Sequence, residues 1–299
     1  MAIEYLRPVS YAAFWARRIA LFALMLMLAS WIATRFGPVL EVHFLALYLA
    51  ACGLAGVALL GAFIGLVNLW RVGAKGGKSA IAAVALAVPV LLPGAYAGWL
   101  YKSHPKIHEV TSDLSDPPAW IREPNYDQLW LGPRLTADTT MRQAQFVAYP
   151  GLITHRYDAS LDRVVKALRE AAADRRIRFV EEDVPTAIRE REQEEAVPQP
   201  EVLGGIPVPR RRPSSVITIP GAALPKPQNA IAIFQGVVIN RITGFPYDVV
   251  IRAREAGDAT LADIRVSARY GRADLGVTAA IADAFLKALD EAMLGSADE

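Results

Sequence analysis

The stretch "RVSARYGRADLGVT", residues 265–278, decides how the second half of this chain is read. Extended upstream to Leu261, it alternates: Ile264, Val266, Ala268 and Tyr270 fall on one side, Asp263, Arg265, Ser267 and Arg269 on the other. A period of two marks a strand, whose successive side chains point to opposite faces. The arginines therefore share a polar face, and the pattern predicts that this face is solvated. Where the alternation stops, Gly271 and Gly276 flank Asp274. Asp274 or Thr278 suits the start of a helix, because a short polar side chain accepts a hydrogen bond from an orphan N–H of the first turn. With Arg269 and Arg272 nearby, that helix start also offers a seat for a carboxylate or phosphate.

Upstream, "PYDVVIRAR" (246–254) puts Asp248, Arg252 and Arg254 on one face opposite Val249 and Ile251. A hairpin through "EAGDAT" pairs opposite charges across the two strands, at roughly 0.2–1 kcal/mol each. "RIRFVEE" (176–182) and "NAIAIFQGVVI" (229–239) supply two more strands. "SLDRVVKALREAAAD" (160–174) carries Leu161, Val164, Val165, Leu168 and Ala172 as one helical stripe after a Ser160 cap, and residues 277–293 repeat the pattern with Ile281, Phe285 and Leu289. Helix, four strands and helix imply an α+β fold, an antiparallel sheet with helices packed on one face. Residues 184–228 interrupt it with a charged run and a proline-rich stretch, which favours an extended excursion. Within that stretch Arg210, Arg211 and Arg212 read as a solvated charge run.

The 53% hydrophobic content is concentrated in the first hundred residues. A hydrocarbon core about 30 Å thick takes roughly 20 apolar residues of helix. Three stretches qualify: one from Ile19, one from about His43 to Trp70, and one from Ala80 to Leu100 ending in "GWLYK". No small-residue cleavage site follows the first, so it is read as a retained span and not a signal peptide. The chain thus divides into a three-helix membrane anchor, 1–104, and a soluble domain, 105–299. Arg7, Arg17 and Arg18 precede the first span, Arg35 sits in the next loop, Arg71, Lys75 and Lys78 in the following one, and Lys102 and Lys106 after the third. Positive loops stay inside, which favours a cytoplasmic N-terminus and a periplasmic soluble domain on a bacterial inner membrane. At the last span the margin is only Arg71, Lys75 and Lys78 against Lys102 and Lys106. Gly61 with Gly65, and Gly94 with Gly98, lie one turn apart and suit close helix packing, inside the bundle or against another subunit. Pro89 and Pro93 predict a kink in the third span. No charge lies mid-span, which argues against an ion or proton pathway.

Residues 107–299 carry 23 Lys/Arg against 28 Asp/Glu, a balance that argues against nucleic acid as a partner. The only cysteine, Cys52, lies in an apolar run and reads as packing. No nucleophile elbow, phosphate-binding loop, dinucleotide fingerprint or metal-binding cysteine cluster appears, and no cofactor or metal is expected. His104 and His108 are spaced for one helix face, but Pro105 makes them a poor metal pair, and His43 and His155 have no visible partner.

The C-terminal half resembles the uncharacterised family of domain of unknown function 1499. The resemblance rests on "IHEVTSDLSDPP", with His108, Glu109, Thr111, Asp113, Pro117 and Pro118, on Tyr149 with Pro150, and on Arg265, Arg269, Gly271, Asp274 and Gly276. It spans about residues 107–293 apart from the insert and implies membrane-attached relatives with no agreed activity. Val266 and Ala268 replace the family's two serines, Thr278 its asparagine, and of its paired aspartates only Asp248 remains. The candidate binding residues are Thr111, Asp113, Asp248, Arg265, Arg269 and Asp274. The reading they favour is a non-catalytic, membrane-anchored extracytoplasmic module whose partners are the lipid bilayer and a membrane protein. The alternatives are a hydrolase using Asp248 or Asp274 as base with Arg265 or Arg269 holding an anionic substrate, and a lipid-handling domain with an apolar groove.

Overall fold

The computed structural model describes residues 8–124, 126–132, 138–186, 188–189 and 230–295. Most of the predicted insert, including Arg210, Arg211 and Arg212, lies outside the described residues.

The three apolar stretches form α1 (Tyr11–Phe36), α2 (Glu41–Val72) and α3 (Gly77–Ser103), each long and apolar enough to cross a bilayer. They meet along alanine. Ala13, Ala16, Ala20 and Ala23 of α1, Ala51, Ala55, Ala58 and Ala62 of α2, and Ala80, Ala83 and Ala87 of α3 with Val90 are all buried. Spacings of three and four keep each row on one helix face. In lipid, burying apolar surface gives helices no reason to associate, so close backbone approach and dispersion carry the contact. Gly61 and Gly65 belong to this seam: a Cβ on Gly65 would stand 2.6 Å from Ala13 Cβ, and one on Gly61 3.1 Å from Ala16 Cβ. The second glycine pair is split. Gly94 receives Tyr48, whose Oη would stand 3.0 Å from an added Cβ, whereas Gly98 has no neighbour within 4 Å. Helix α3 runs through Pro89 and Pro93. In the turn between them the Val90 carbonyl accepts from Tyr48 Oη at 3.0 Å and Cys52 Sγ at 3.7 Å, the kind of neighbouring polar support that lets proline persist in a buried helix.

The second half is a six-stranded antiparallel sheet with strands β1 (Glu109–Thr111), β2 (His155–Tyr157), β3 (Arg178–Asp183), β4 (Ile231–Ile239), β5 (Pro246–Ala256) and β6 (Ala259–Ala268). The order is β1-β6-β5-β4-β3, and β2 pairs with β6 beside β1. The expected hairpin forms β5 and β6, with Arg252 directly opposite Asp263. Helices α5 (Leu161–Asp174) and α6 (Val277–Gly295) cover one face, where Leu168, Phe285 and Leu289 meet Val249, Ile251, Ile264 and Val266. Ser160 occupies the N-cap of α5 without a side-chain hydrogen bond. Helix α4 (Thr139–Ala148), β1 and β2 were not foreseen. Val184 and Ile188 are buried in the sheet–helix core, so the core continues past residue 184, where the insert was expected to begin, at least to Ile188.

The lobe meets the bundle at the β4–β5 turn and at the end of α3. Trp31 Nε1 donates to the Ile242 carbonyl at 2.9 Å in the β4–β5 turn, where Phe44 of α2 meets Phe245 edge to face. At the end of α3, the His104 ring lies against Gly276, which has φ +83° and no room for a Cβ. Only glycine meets both demands at little cost.

Gly65→Val and Gly98→Val separate seam from surface. The first forces α1 away from α2 and is expected to cost about 1–3 kcal/mol, as overpacking does. The second projects into open space and is expected to leave the thermal unfolding midpoint of the detergent-solubilised chain within about a degree or two of the parent.

Candidate functional site

The polar face of the sheet is not solvated, contrary to the expectation from its alternation. Residues 112–124 and 126–128 run from β1 across that face as a strap. Arg265 Nη1 donates to the Pro118 carbonyl at 3.0 Å, the Arg122 backbone brackets the Gln235 amide at 2.9 and 2.8 Å, and Gln128 Nε2 donates to the Arg269 carbonyl at 2.9 Å. Beneath the strap the charges of β5 and β6 are closed into three groups.

At the centre, Arg252 donates through Nη2 and Nε to Asp263 Oδ2 at 2.8 and 3.2 Å, through Nη1 to Asp116 Oδ2 at 2.9 Å, and through Nη2 to Asp113 Oδ2 at 3.3 Å. Asp263 has no exposed surface. Its other oxygen accepts from Ser112 Oγ and Thr154 Oγ1. Arg254 Nη2 reaches Asp113 Oδ2 at 3.1 Å. Burial alone would raise the Asp113 pKa, yet the Asp116 N–H, the Ser115 hydroxyl and N–H and the Arg254 charge together hold it below the usual carboxylate value. Toward one side, Arg265 holds Glu109 Oε1 at 2.8 Å through both Nε and Nη2, with its guanidinium 5.0 Å from the Trp120 ring centroid. Toward the other, Arg269 holds Asp248 with Nε–O distances of 3.1 Å and an Nη2–Oδ1 distance of 2.9 Å, beneath Tyr126 at 4.4 Å. Burial and the Asp248 charge both push the Tyr126 pKa up.

The remaining candidates are equally committed. Gln145 of α4 brackets the Thr111 backbone at 3.2 and 2.6 Å, and Thr111 Oγ1 donates to the Asp113 carbonyl at 3.1 Å. The Asp274 carboxylate accepts from Gly276 N at 3.2 Å, Thr278 N at 2.7 Å and Thr278 Oγ1. Asp274 is thus the cap foreseen for the last helix, and it fills with its own carboxylate the seat read as an external anion site. Arg269, proposed to serve that seat, is paired with Asp248. Val266 and Ala268, where the resembled pattern has serines, face the apolar layer beside α6, so hydroxyls are missing from the core and not from the ionic face. His155 does have a partner: its Nδ1 lies 2.9 Å from Asp290 Oδ1, which also accepts from Tyr157 Oη at 2.7 Å. His104 caps the end of α3, its Nδ1 3.2 Å from the Leu100 carbonyl. Among the described residues no group of three His, Cys, Asp or Glu side chains is placed to hold a metal.

Asp116, Trp120, Tyr126 and Gln128 complete the site and were not singled out from the sequence. The signal available was the run of acids, prolines and aromatics after the third span, which reads as loop without its partner sheet.

The arrangement defines an α+β protein with three helices long and apolar enough to cross a bilayer, whose motif charges are internal ties between strap and sheet. Residues 218–289, which include β4, β5, β6 and most of α6, match the family model described as Protein of unknown function (DUF1499). His108 to Pro118 and Tyr149 with Pro150, also compared with that family, lie upstream of the matched residues. No curated protein and no solved structure matches the chain.

Arg252→Met leaves buried Asp263 with Arg254 Nε, 3.8 Å away, as its remaining cation and is expected to lower stability by about 3 kcal/mol, read by tryptophan fluorescence during urea unfolding in detergent. Adding Asp263→Leu removes the stranded carboxylate and is expected to restore part of that loss. Asp113 stabilises the fold fully above its unfolded value of 3.8, and this contribution disappears as pH falls through the lower folded value. Asp113→Asn should therefore weaken the protein at neutral pH and reduce its further loss of stability below about pH 4.

Proposed function

We propose that this chain is a non-catalytic, membrane-anchored module that holds a membrane protein partner on the extracytoplasmic side of a bacterial inner membrane. The observation that carries the reading is the closure of the motif charges: Asp113, Asp248, Arg265, Arg269 and Asp274 each already have a protein partner. A general base needs a carboxylate within reach of a substrate proton, whereas Asp248 faces Arg269 and Asp274 faces its own helix start. Two features support a docking role. Phe146, Val147 and Ile153, around the end of α4, are 63%, 75% and 58% exposed, and large exposed apolar side chains mark interaction surfaces when they gather. The lobe is also fixed to its anchor at the β4–β5 turn and at His104, so that surface is presented at a set height above the bundle.

Orientation is part of the same proposal. Antiparallel helices and the Val9–Lys75 bridge gather Arg17, Arg18, Arg71, Lys75 and Lys78 at the end of the bundle opposite the lobe. Positive charge at that end favours placing it in the cytoplasm.

Extraction in a mild detergent followed by mass analysis is expected to recover a membrane protein in stoichiometric amount, and Phe146→Glu with Val147→Glu to release it while thermal unfolding stays unchanged. A chain that migrates alone before substitution overturns the proposal. For orientation, Asp258→Cys in the exposed β5–β6 turn should react with an impermeant thiol reagent on intact spheroplasts; labelling only after lysis reverses the assignment.

A further inference from the structure

Two cavities lie side by side where the lobe meets the bundle. The first, 670 Å³, is lined by Tyr101, Lys106, His108 and Arg272, and the second, 270 Å³, by Val42, Leu45, Phe245, Tyr247 and Val277. Leu131, Gly271 and Ala273 line both, so a cationic compartment and an apolar one adjoin along these three residues.

Two cations of the first compartment reach solvent. Lys106 Nζ rests 4.8 Å from the Tyr101 ring centroid, and both Lys106 and Arg272 are exposed. Among the described lining residues the acid is Asp138, whose Oδ1 accepts from Met141 N as the cap of α4. In the second compartment Arg269 pairs with Asp248 and Asp274 caps α6, and Glu41 lies in the first turn of α2, where the helix N-terminus favours a carboxylate. Position fixes the level. Tyr101 and Trp99 close α3 with the aromatic pair typical of a headgroup region, and Val42 and Leu45 open α2 at the same end of the bundle. A cationic chamber and an apolar chamber, adjoining at the level of the bilayer surface, match the two halves of an amphiphile.

We propose that the two chambers form one site for an anionic phospholipid from the leaflet in which α3 ends. Its phosphate lies between Lys106 and Arg272, its glycerol crosses Leu131 and Gly271, and one acyl chain enters between α2 and the β4–β5 turn. Lys and Arg donate to phosphate oxygens, and the apolar chamber removes the first methylenes from competition with the bulk bilayer. The site does not depend on the protein partner proposed above, and its test reads lipid and not protein.

The full chain, reconstituted with equal amounts of phosphatidylglycerol and phosphatidylcholine and released into a mild detergent, is examined by native mass analysis. Two cations at a membrane surface predict retention of phosphatidylglycerol over phosphatidylcholine by roughly tenfold or more. Lys106→Glu with Arg272→Glu should bring that ratio to about one. Leu45→Trp, which fills the apolar chamber from α2, should reduce retention of both lipids. Arg241→Glu, an exposed cation outside both chambers, should leave the ratio unchanged. Equal retention of the two lipids overturns the proposal, as does an Arg241→Glu effect as large as that of the pocket variants, which means diffuse attraction. Displacement of the lipid by excess inorganic phosphate also overturns it, because the site then serves a free anion.

Discussion

Arg252 stands across from Asp263 in the β5–β6 hairpin, where neither side chain meets appreciable solvent. Each ion loses several kcal/mol of hydration in such a place, and the loss is tolerable only when geometry and further hydrogen bonds compensate it. Ser112 and Thr154 complete Asp263, while Asp113 and Asp116 complete Arg252. Three of those four residues lie on the strap that follows α3, the third helix long and apolar enough to cross a bilayer. The strap cannot lift without uncovering a charge, and the path of the chain from lipid to sheet is set by that constraint.

Much of this was legible beforehand. The spans were visible because a bilayer demands a fixed apolar length, and the hairpin because alternation from Leu261 to Tyr270 admits little else. The polar face was located correctly and its surroundings were not. Its cover comes from residues 112–124 and 126–128, which have no regular period and meet their partners 139 positions away, as Asp113 does with Arg252. Separation of that kind leaves no trace in local pattern. The alanine seam was overlooked for the opposite reason: its spacing was present in all three helices, but apolar length absorbs alanine and leucine alike. Helix α4 and strands β1 and β2 are too short to establish a period.

The departures from the resembled family now have a physical setting. Val266 and Ala268 project toward α6 and join its apolar contacts, so this chain has a drier interlayer than one with serines there. Asp248, the remaining member of the acidic pair, keeps an arginine to itself. The matched residues thus supply the central hairpin and the capped helix, while the strap that seals them comes from the segment nearest the membrane.

Strands β3 and β4 are hydrogen-bonded neighbours, with Asp183 opposite Ile233, although 49 residues separate them in sequence. The ends of the intervening stretch are held together by the sheet itself. Loop closure grows only slowly more costly with length, about 0.6 kcal/mol per doubling. Length added beyond Arg189 therefore carries little closure penalty for the lobe, provided Val184 and Ile188 keep their places in the core.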